Sequence, residues 1–157
     1  YDPIPFVAKA FENIAMAKVS TSCEESRDMA YLRRTDKVVI NPDQLVASAK
    51  QLGLGLAAGG YTPPKQTRVK LPGPSGRAAI ELFLMQMQQG GYATDHDVTI
   101  GKKLGHVLTG GDIPANAWVT EQDLLDLERE AFLSLCGEEK TIARIQHMLQ
   151  TNKPLRN

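Results

Sequence analysis

Thr94-Asp95-His96-Asp97 places one histidine between carboxylates, a grouping that could bind a metal ion or act as a tuned base. An imidazole titrates near neutral pH and is a common metal ligand. The other histidines, His106 and His147, do not stand at a zinc-site spacing, and no HExxH motif is present. Carboxylates also suit a helix N-terminus, where the helix dipole favours negative charge. The pattern predicts a capped helix start here, with a metal or acid–base site as the alternative.

A glycine-rich run, Gly53-Leu-Gly55-Leu-Ala-Ala-Gly59, suggests a loop that holds a dinucleotide pyrophosphate at a helix N-terminus. That motif needs a strand before it and a helix after it. Here a helical pattern precedes the glycines and prolines follow them. The run therefore predicts a helix whose glycines allow close packing, and nucleotide binding is the alternative.

Paired carboxylates occur at Glu24-Glu25 and at Glu128 with Glu130, and such pairs can divide acid and base roles when their environments differ. All four lie on amphipathic helical patterns, where carboxylates are usually solvated. We expect none of them to be catalytic.

Two further residues could act as nucleophiles. Cys136 stands beside a predicted helix C-terminus, where the negative end of the helix dipole disfavours a thiolate. Ser75 lacks the strand–turn–helix setting of a nucleophile elbow and is predicted to cap a helix instead. The sequence therefore predicts no catalytic residue and no metal site, and leaves cofactor-binding residues open.

Lys65, Arg68 and Lys70 form a basic cluster within a proline-rich stretch. Cationic side chains of this kind could meet the phosphates of coenzyme A. An exposed loop is the alternative interpretation.

The chain of 157 residues is about the size of one domain, and its 18 basic and 18 acidic residues cancel. Binding to nucleic acid or to an anionic membrane needs a basic excess, so neither partner is expected. No apolar run is long enough to span a bilayer, and no signal peptide is recognisable. Cys23 and Cys136 are far apart and are expected to be reduced thiols in a cytoplasmic protein. Because the first residue is Tyr1, we expect a piece of a longer protein.

The elements that must position these residues are mostly helical. Apolar spacing and cap residues predict helices over 6–18, 24–31, 42–56, 78–89, 94–108, 120–136 and 142–151. Two short extended segments are predicted, KVVI at 37–40 and an edge strand, QTRVKL, at 66–71. The fold class is thus mainly α, with about six or seven helices and at most one or two short strands.

Three of these helices have further sequence signals. Thr21 or Ser22 is the expected N-cap of the second helix, and Thr120 with Asp123 approximates a capping box before the sixth. The helix over 78–89 is apolar nearly all round, which predicts a central place in the core.

Three long segments resemble one family. The ending DLEREAFLSLCGEEKTIARIQHMLQTNKPLRN resembles the C-terminus of large bacterial β-oxidation enzymes. In these enzymes an N-terminal 3-hydroxyacyl-CoA dehydrogenase is fused to a C-terminal enoyl-CoA hydratase/isomerase, or crotonase-like, region. The segment from IAMAKVSTSCEESRDMAYL to LGLGLAAGGYTPP looks like the tail of that region, and DHDVTIGKKLGHVLTGGD like the helical stretch after it.

The resemblance has two departures. Ser26 stands where the family's short helix usually has alanine, and Ala30 where it usually has glycine. The resemblance implies three parts: 1–60 as the tail of the crotonase-like region, 61–76 as a Pro/Gly-rich connector and 77–157 as a C-terminal helical region.

By the same resemblance, the parent protein hydrates trans-2-enoyl-CoA and oxidises 3-hydroxyacyl-CoA with NAD. The residues of both activities would precede Tyr1, so the piece itself is expected to be structural and inactive, with no cofactor of its own. Its implied partners are the rest of the parent chain and the acyl-CoA substrate, and self-association into a homo-oligomer stays open. The alternative is a helical protein–protein interaction module unrelated to acyl-CoA chemistry.

Overall fold

The computed structural model describes all residues from Tyr1 to Asn157. Seven α-helices and two short strands make up the chain, so the predicted mainly α class is confirmed. The elements in chain order are α1 (Ile4–Ala15), α2 (Cys23–Asp28), a 3-10 turn (Pro42–Gln44), α3 (Leu45–Ala58), β1 (Arg68–Leu71), α4 (Pro74–Gln89), α5 (Asp95–Leu108), β2 (Ala117–Thr120), α6 (Glu121–Cys136) and α7 (Glu139–Thr151).

Side-chain caps begin three of the helices as the sequence predicts. Thr94 and Asp97 form a reciprocal capping box at α5, and Thr120 and Asp123 form another at α6. The Ser22 hydroxyl accepts a hydrogen bond from the Glu25 backbone N–H at α2, which decides between the two predicted N-caps. Each cap satisfies backbone donors that the first helical turn leaves unpaired.

Two local predictions are wrong, and a third is confirmed with a shorter span. Residues 37–40 are irregular and not a strand, since no other extended segment pairs with them. Ser75 lies inside α4, whose N-cap is Gly73, and the Ser75 hydroxyl donates to the Pro72 carbonyl instead of capping the helix. The predicted edge strand is real but spans Arg68–Leu71, and its antiparallel partner β2 is a strand that apolar spacing around Trp118 does not indicate.

The chain divides into two compact units, the first unit being residues 1–17 with 66–157 and the second unit residues 18–65. The three-part division at 60 and 76 stays a prediction about the longer protein.

The first unit has an apolar core built from α1, α4, α5 and the β1–β2 ribbon. Its buried hydrophobic residues are Val7, Phe11, Leu71, Ile80, Leu84, Val98 and Val119. Glycines let α4 and α5 approach closely, because a Cβ at Gly101 would lie 2.5 Å from Leu84 Cδ2, and one at Gly105 would lie 2.9 Å from Ile80 Cγ2. Helix α4 buries one face only, however, with Leu82 and Met85 exposed. The prediction of a centrally buried helix is therefore wrong within this chain.

The second unit contains α2, the 3-10 turn and α3, and none of its residues is buried. In α3 the exposed apolar side chains are Leu45, Val46, Leu52, Leu54 and Leu56.

Candidate functional site

The Thr94–Asp97 grouping is a structural cap that also ties α5 to α7. The Thr94 N–H donates to Asp97 Oδ2 at 2.9 Å, and the Asp97 N–H returns a bond to Thr94 Oγ1 at 3.2 Å. Arg144 of α7 donates to Asp97 Oδ1 at 2.7 Å. Partial burial opposes ionisation of Asp97, but the bonds from the Thr94 N–H and from Arg144, with the Arg144 charge, hold the pKa below its usual value. Asp97 therefore caps α5 and forms an ion pair with Arg144.

His96 contacts a hydroxyl of α7 and not the carboxylates that flank it in sequence. Its side chain is 4% exposed, and its Nε2 lies 3.0 Å from the Thr141 hydroxyl of α7. Asp95 instead accepts a bond from Gln88 Nε2 at 2.7 Å. No three His, Cys, Asp or Glu side chains of the chain come together in a metal-holding group. The arrangement supports the predicted cap and gives no support to the metal alternative.

Gly53 and Gly55 lie in the interior of α3 and not at a helix N-terminus. They cannot supply the free N–H groups that hold a pyrophosphate, so the nucleotide alternative is wrong here. A Cβ at either glycine would meet no atom within 4 Å. The close packing predicted for these glycines therefore has no partner among these 157 residues.

The paired carboxylates do not form an acid–base site. Glu25 caps α2: the Thr21 N–H donates to its Oε2 at 2.6 Å, and this bond with that of the Thr21 hydroxyl lowers the Glu25 pKa. Glu24 pairs with Arg27. Glu128 stands at the rim of a groove described below, and Glu130 is exposed.

The two cysteines each lie at one end of a helix. Cys136 ends α6 and is half-buried, while Cys23 opens α2 and is exposed, and both are free thiols. No structural feature makes either one a nucleophile.

The basic cluster divides between the two units. Lys65 belongs to the second unit, whereas Arg68 and Lys70 lie on β1. Strand residues two apart share a face, and Lys70 stands directly opposite Trp118 of β2. Arg68, Lys70 and Trp118 therefore share one face, which we call the ribbon face. Trp118 is 60% exposed there. In such an arrangement the indole can stack on a nucleotide base while the two cationic side chains bind phosphates.

An apolar groove of about 770 Å³ runs between α1, α5 and α6 of the first unit. Its walls include Ile100, Leu104, Leu124 and Phe132, and its charged rim residues are Lys103, Glu121, Glu128 and Arg129. A volume of this size falls within the range of small-molecule sites. The groove can receive an apolar chain but carries no nucleophile and no oriented acid–base pair.

Comparison with known proteins gives one informative match. No family model matches the chain, and no solved structure matches it. The "Probable 3-hydroxyacyl-CoA dehydrogenase" of Bacillus subtilis (strain 168) is 50% identical over 157 residues. This chain is similar to part of a dehydrogenase. The match covers the whole of this chain and only 20% of the relative. The chain therefore spans about a fifth of that protein's length.

Proposed function

We propose that this chain belongs to a longer fatty-acid β-oxidation protein that oxidises 3-hydroxyacyl-CoA with NAD. The 50% identity to the Bacillus subtilis protein, which extends over every residue of the chain, carries the proposal. Identity at this level over a whole domain-sized segment supports a common fold and a parent protein of the same kind. We further propose that the parent also contains the crotonase-like enoyl-CoA hydratase region and acts in the cytoplasm. None of the helices combines the length and apolar character needed to cross a bilayer.

Within that parent, the proposed role of this chain is structural. The groove between α1, α5 and α6 supports a part in lining the path of the acyl chain, because its walls are apolar and its volume suits such a ligand. Catalysis would reside elsewhere in the parent, since the polar side chains nearest the groove form no reactive set.

The test is an assay of the full-length protein and of residues 1–157, side by side. With 3-hydroxyacyl-CoA and NAD, the full-length protein should form NADH, and with trans-2-enoyl-CoA it should lose the enoyl absorbance. Residues 1–157 should show neither reaction. Turnover by the shorter chain would refute the structural role, and an inactive full-length protein would favour an interaction module unrelated to acyl-CoA.

A matched pair of substitutions tests the groove in the full-length enzyme. Phe132→Ala removes an exposed ring from the groove wall, and Leu133→Ala removes an exposed side chain of the same helix that does not line the groove. If the groove holds the acyl chain, the first variant raises KM for long-chain substrates more than for short ones, and the second does not. If Phe132→Ala changes KM by the same factor for long-chain and short-chain substrates, the groove does not hold the acyl chain.

A second candidate activity is direct binding of coenzyme A at the ribbon face. The exposed indole of Trp118 opposite Lys70 favours it, because the adenine ring could stack while the cations meet phosphates. The nearby Asp123 opposes it. Its pKa is lowered by bonds from Thr120 and by the charge of Arg68, so one of the two cations already has a carboxylate neighbour.

Trp118 is the single tryptophan of the chain and therefore reports directly on this site. Titration with free coenzyme A should quench its fluorescence and give heat by calorimetry. Lys70→Glu should abolish both signals, whereas Lys102→Glu, at an exposed lysine of α5, should leave them unchanged. No heat from the unsubstituted chain would exclude coenzyme A from the ribbon face.

A further inference from the structure

Helix α3 exposes large apolar side chains on opposite sides and has only three polar residues, Ser48, Lys50 and Gln51. Its sequence, LVASAKQLGLGLAA, contains one charged residue, Lys50. Leu45 and Leu54 are nine residues apart, which at 3.6 residues per turn places them about 180° apart around the helix. Both are more than half exposed, at 54% and 56%. A helix of a water-exposed surface ordinarily confines its large apolar side chains to one side, so apolar residues on opposite sides indicate cover on both.

We propose that α3 is a core helix of the longer protein, covered on two sides by segments of that protein outside these 157 residues. The inference rests on the proposed function only in taking the covering segments from the same polypeptide. A protein of the relative's length leaves about four fifths of its chain to supply them.

Two other ways of covering α3 fit the observations less well. A second copy related by a two-fold axis presents one patch to itself, so it covers one side of the helix and leaves Leu45 or Leu54 in water. A membrane surface requires a helix with a strongly polar, basic face, and α3 offers only Lys50. Segments of the parent chain on two sides of α3 would bury both Leu45 and Leu54.

The glycines of α3 indicate where the contact is closest. Gly53 and Ala57 are four residues apart and lie on one side of the helix, beside Ala49. A Cβ at Gly53 would meet nothing within 4 Å in this chain. A covering element can therefore approach the α3 backbone along this row of small residues.

Hydrogen exchange measured by mass spectrometry on the full-length protein tests the proposal, with residues 1–157 as comparator. We expect the amides of Leu45–Ala58 to exchange at least tenfold more slowly in the full-length protein. In the full-length protein, Leu54→Gln and Leu45→Gln should each restore faster exchange, while Lys50→Gln, at the one charged position, should not.

Equal exchange of α3 in the two proteins overturns the proposal. If exchange is equally slow in both proteins and slows further with protein concentration, a second copy covers the helix; if exchange is equally fast in both proteins, nothing covers it. The dehydrogenase assay separates the two proposals. Slow exchange of α3 without dehydrogenase turnover supports the covered helix and refutes the proposed function. Turnover with fast exchange of α3 supports the function and refutes the covered helix.

Discussion

The helices of both units carry apolar residues at helical spacing, but the two units differ in what their helices bury. In the first unit, α1, α4 and α5 enclose Phe11, Ile80 and Leu84. In the second unit, α3 exposes every large apolar side chain that it carries. Each helix has the spacing that predicts a buried face. The pattern therefore shows that a helix needs a partner, but not that the partner lies in the same stretch of chain.

The chain exposes more surface than compact domains of the same mass do. The chain exposes 11579 Å². A single compact protein of this mass would expose about 7,800 Å², and two separate compact domains of the sizes of the two units would expose about 9,000 Å². Ordering a residue's backbone costs roughly 1–2 kcal/mol, which a unit without a core does not offset by burial. We infer that the second unit depends on cover for its stability, whereas the first unit has a core of its own.

The largest expected effect is loss of core in the first unit. Phe11 is buried and packs edge-to-face on Phe83, with 6.1 Å between ring centroids. Phe11→Ala should lower the free energy of unfolding by about 3–5 kcal/mol, measured by urea denaturation of residues 1–157.

Its matched control is Leu54→Ala in the second unit. That side chain is exposed, so the change should stay within about 0.5 kcal/mol. A large loss from Leu54→Ala would show that the second unit has hidden packing and would remove the contrast between the two units.

A smaller effect comes from adding one methyl group to a helical glycine in each unit. A Cβ at Gly76 would lie 2.3 Å from Cγ of Pro72, a rigid and fully buried ring. Gly76→Ala should cost about 1–3 kcal/mol through overpacking, measured by thermal unfolding.

Gly53→Ala is the matching change in the second unit and should have the opposite sign. No atom lies near its added Cβ, and alanine stabilises a helix by up to about 1 kcal/mol relative to glycine. Slower hydrogen exchange across α3 in residues 1–157 is the expected readout. In the full-length protein the same substitution should destabilise, and a stabilising effect in both would argue against close packing on α3.

The sequence predicts most helices of both units because the signals are local. The capping boxes at Thr94 and Thr120 follow from residue types three apart, and α7 ends at Thr151 as expected. Strands are predicted less well, because β1 and β2 depend on each other across the 45 residues of chain between Leu71 and Ala117. The segment KVVI has strand-like composition but no partner in the structure.

The candidate site could be predicted only in part, for the same reason. The basic residues Arg68 and Lys70 are visible in the sequence, but Trp118 joins their face only through the strand register. The groove between α1, α5 and α6 depends on packing between helices far apart in sequence. A better sequence signal for the ribbon was available in AWVT, where aromatic and β-branched residues precede a capping threonine.

The smallest expected effect is pH-dependent and again separates the units. The Asp97 pKa is lowered in the folded chain, so its ion pair with Arg144 adds stability above the unfolded pKa of about 3.9. That stability is lost as the pH falls through the folded pKa. Asp97→Asn should therefore cost about 1 kcal/mol near neutral pH, since both partners are partly exposed, and almost nothing at pH values below the folded pKa.

Urea denaturation at the two pH values measures this difference, with Glu25→Gln as the control. Glu25 also has a lowered pKa, but it is fully exposed and its bonds stay within the α2 cap, so the unfolding of the first unit should not respond. A cost from Asp97→Asn that is the same at both pH values would assign the effect to the α5 cap geometry, because that geometry does not need the charge. A response of the first unit to Glu25→Gln would instead show that the two units unfold together. The units would then not be independent in unfolding, although they differ in burial.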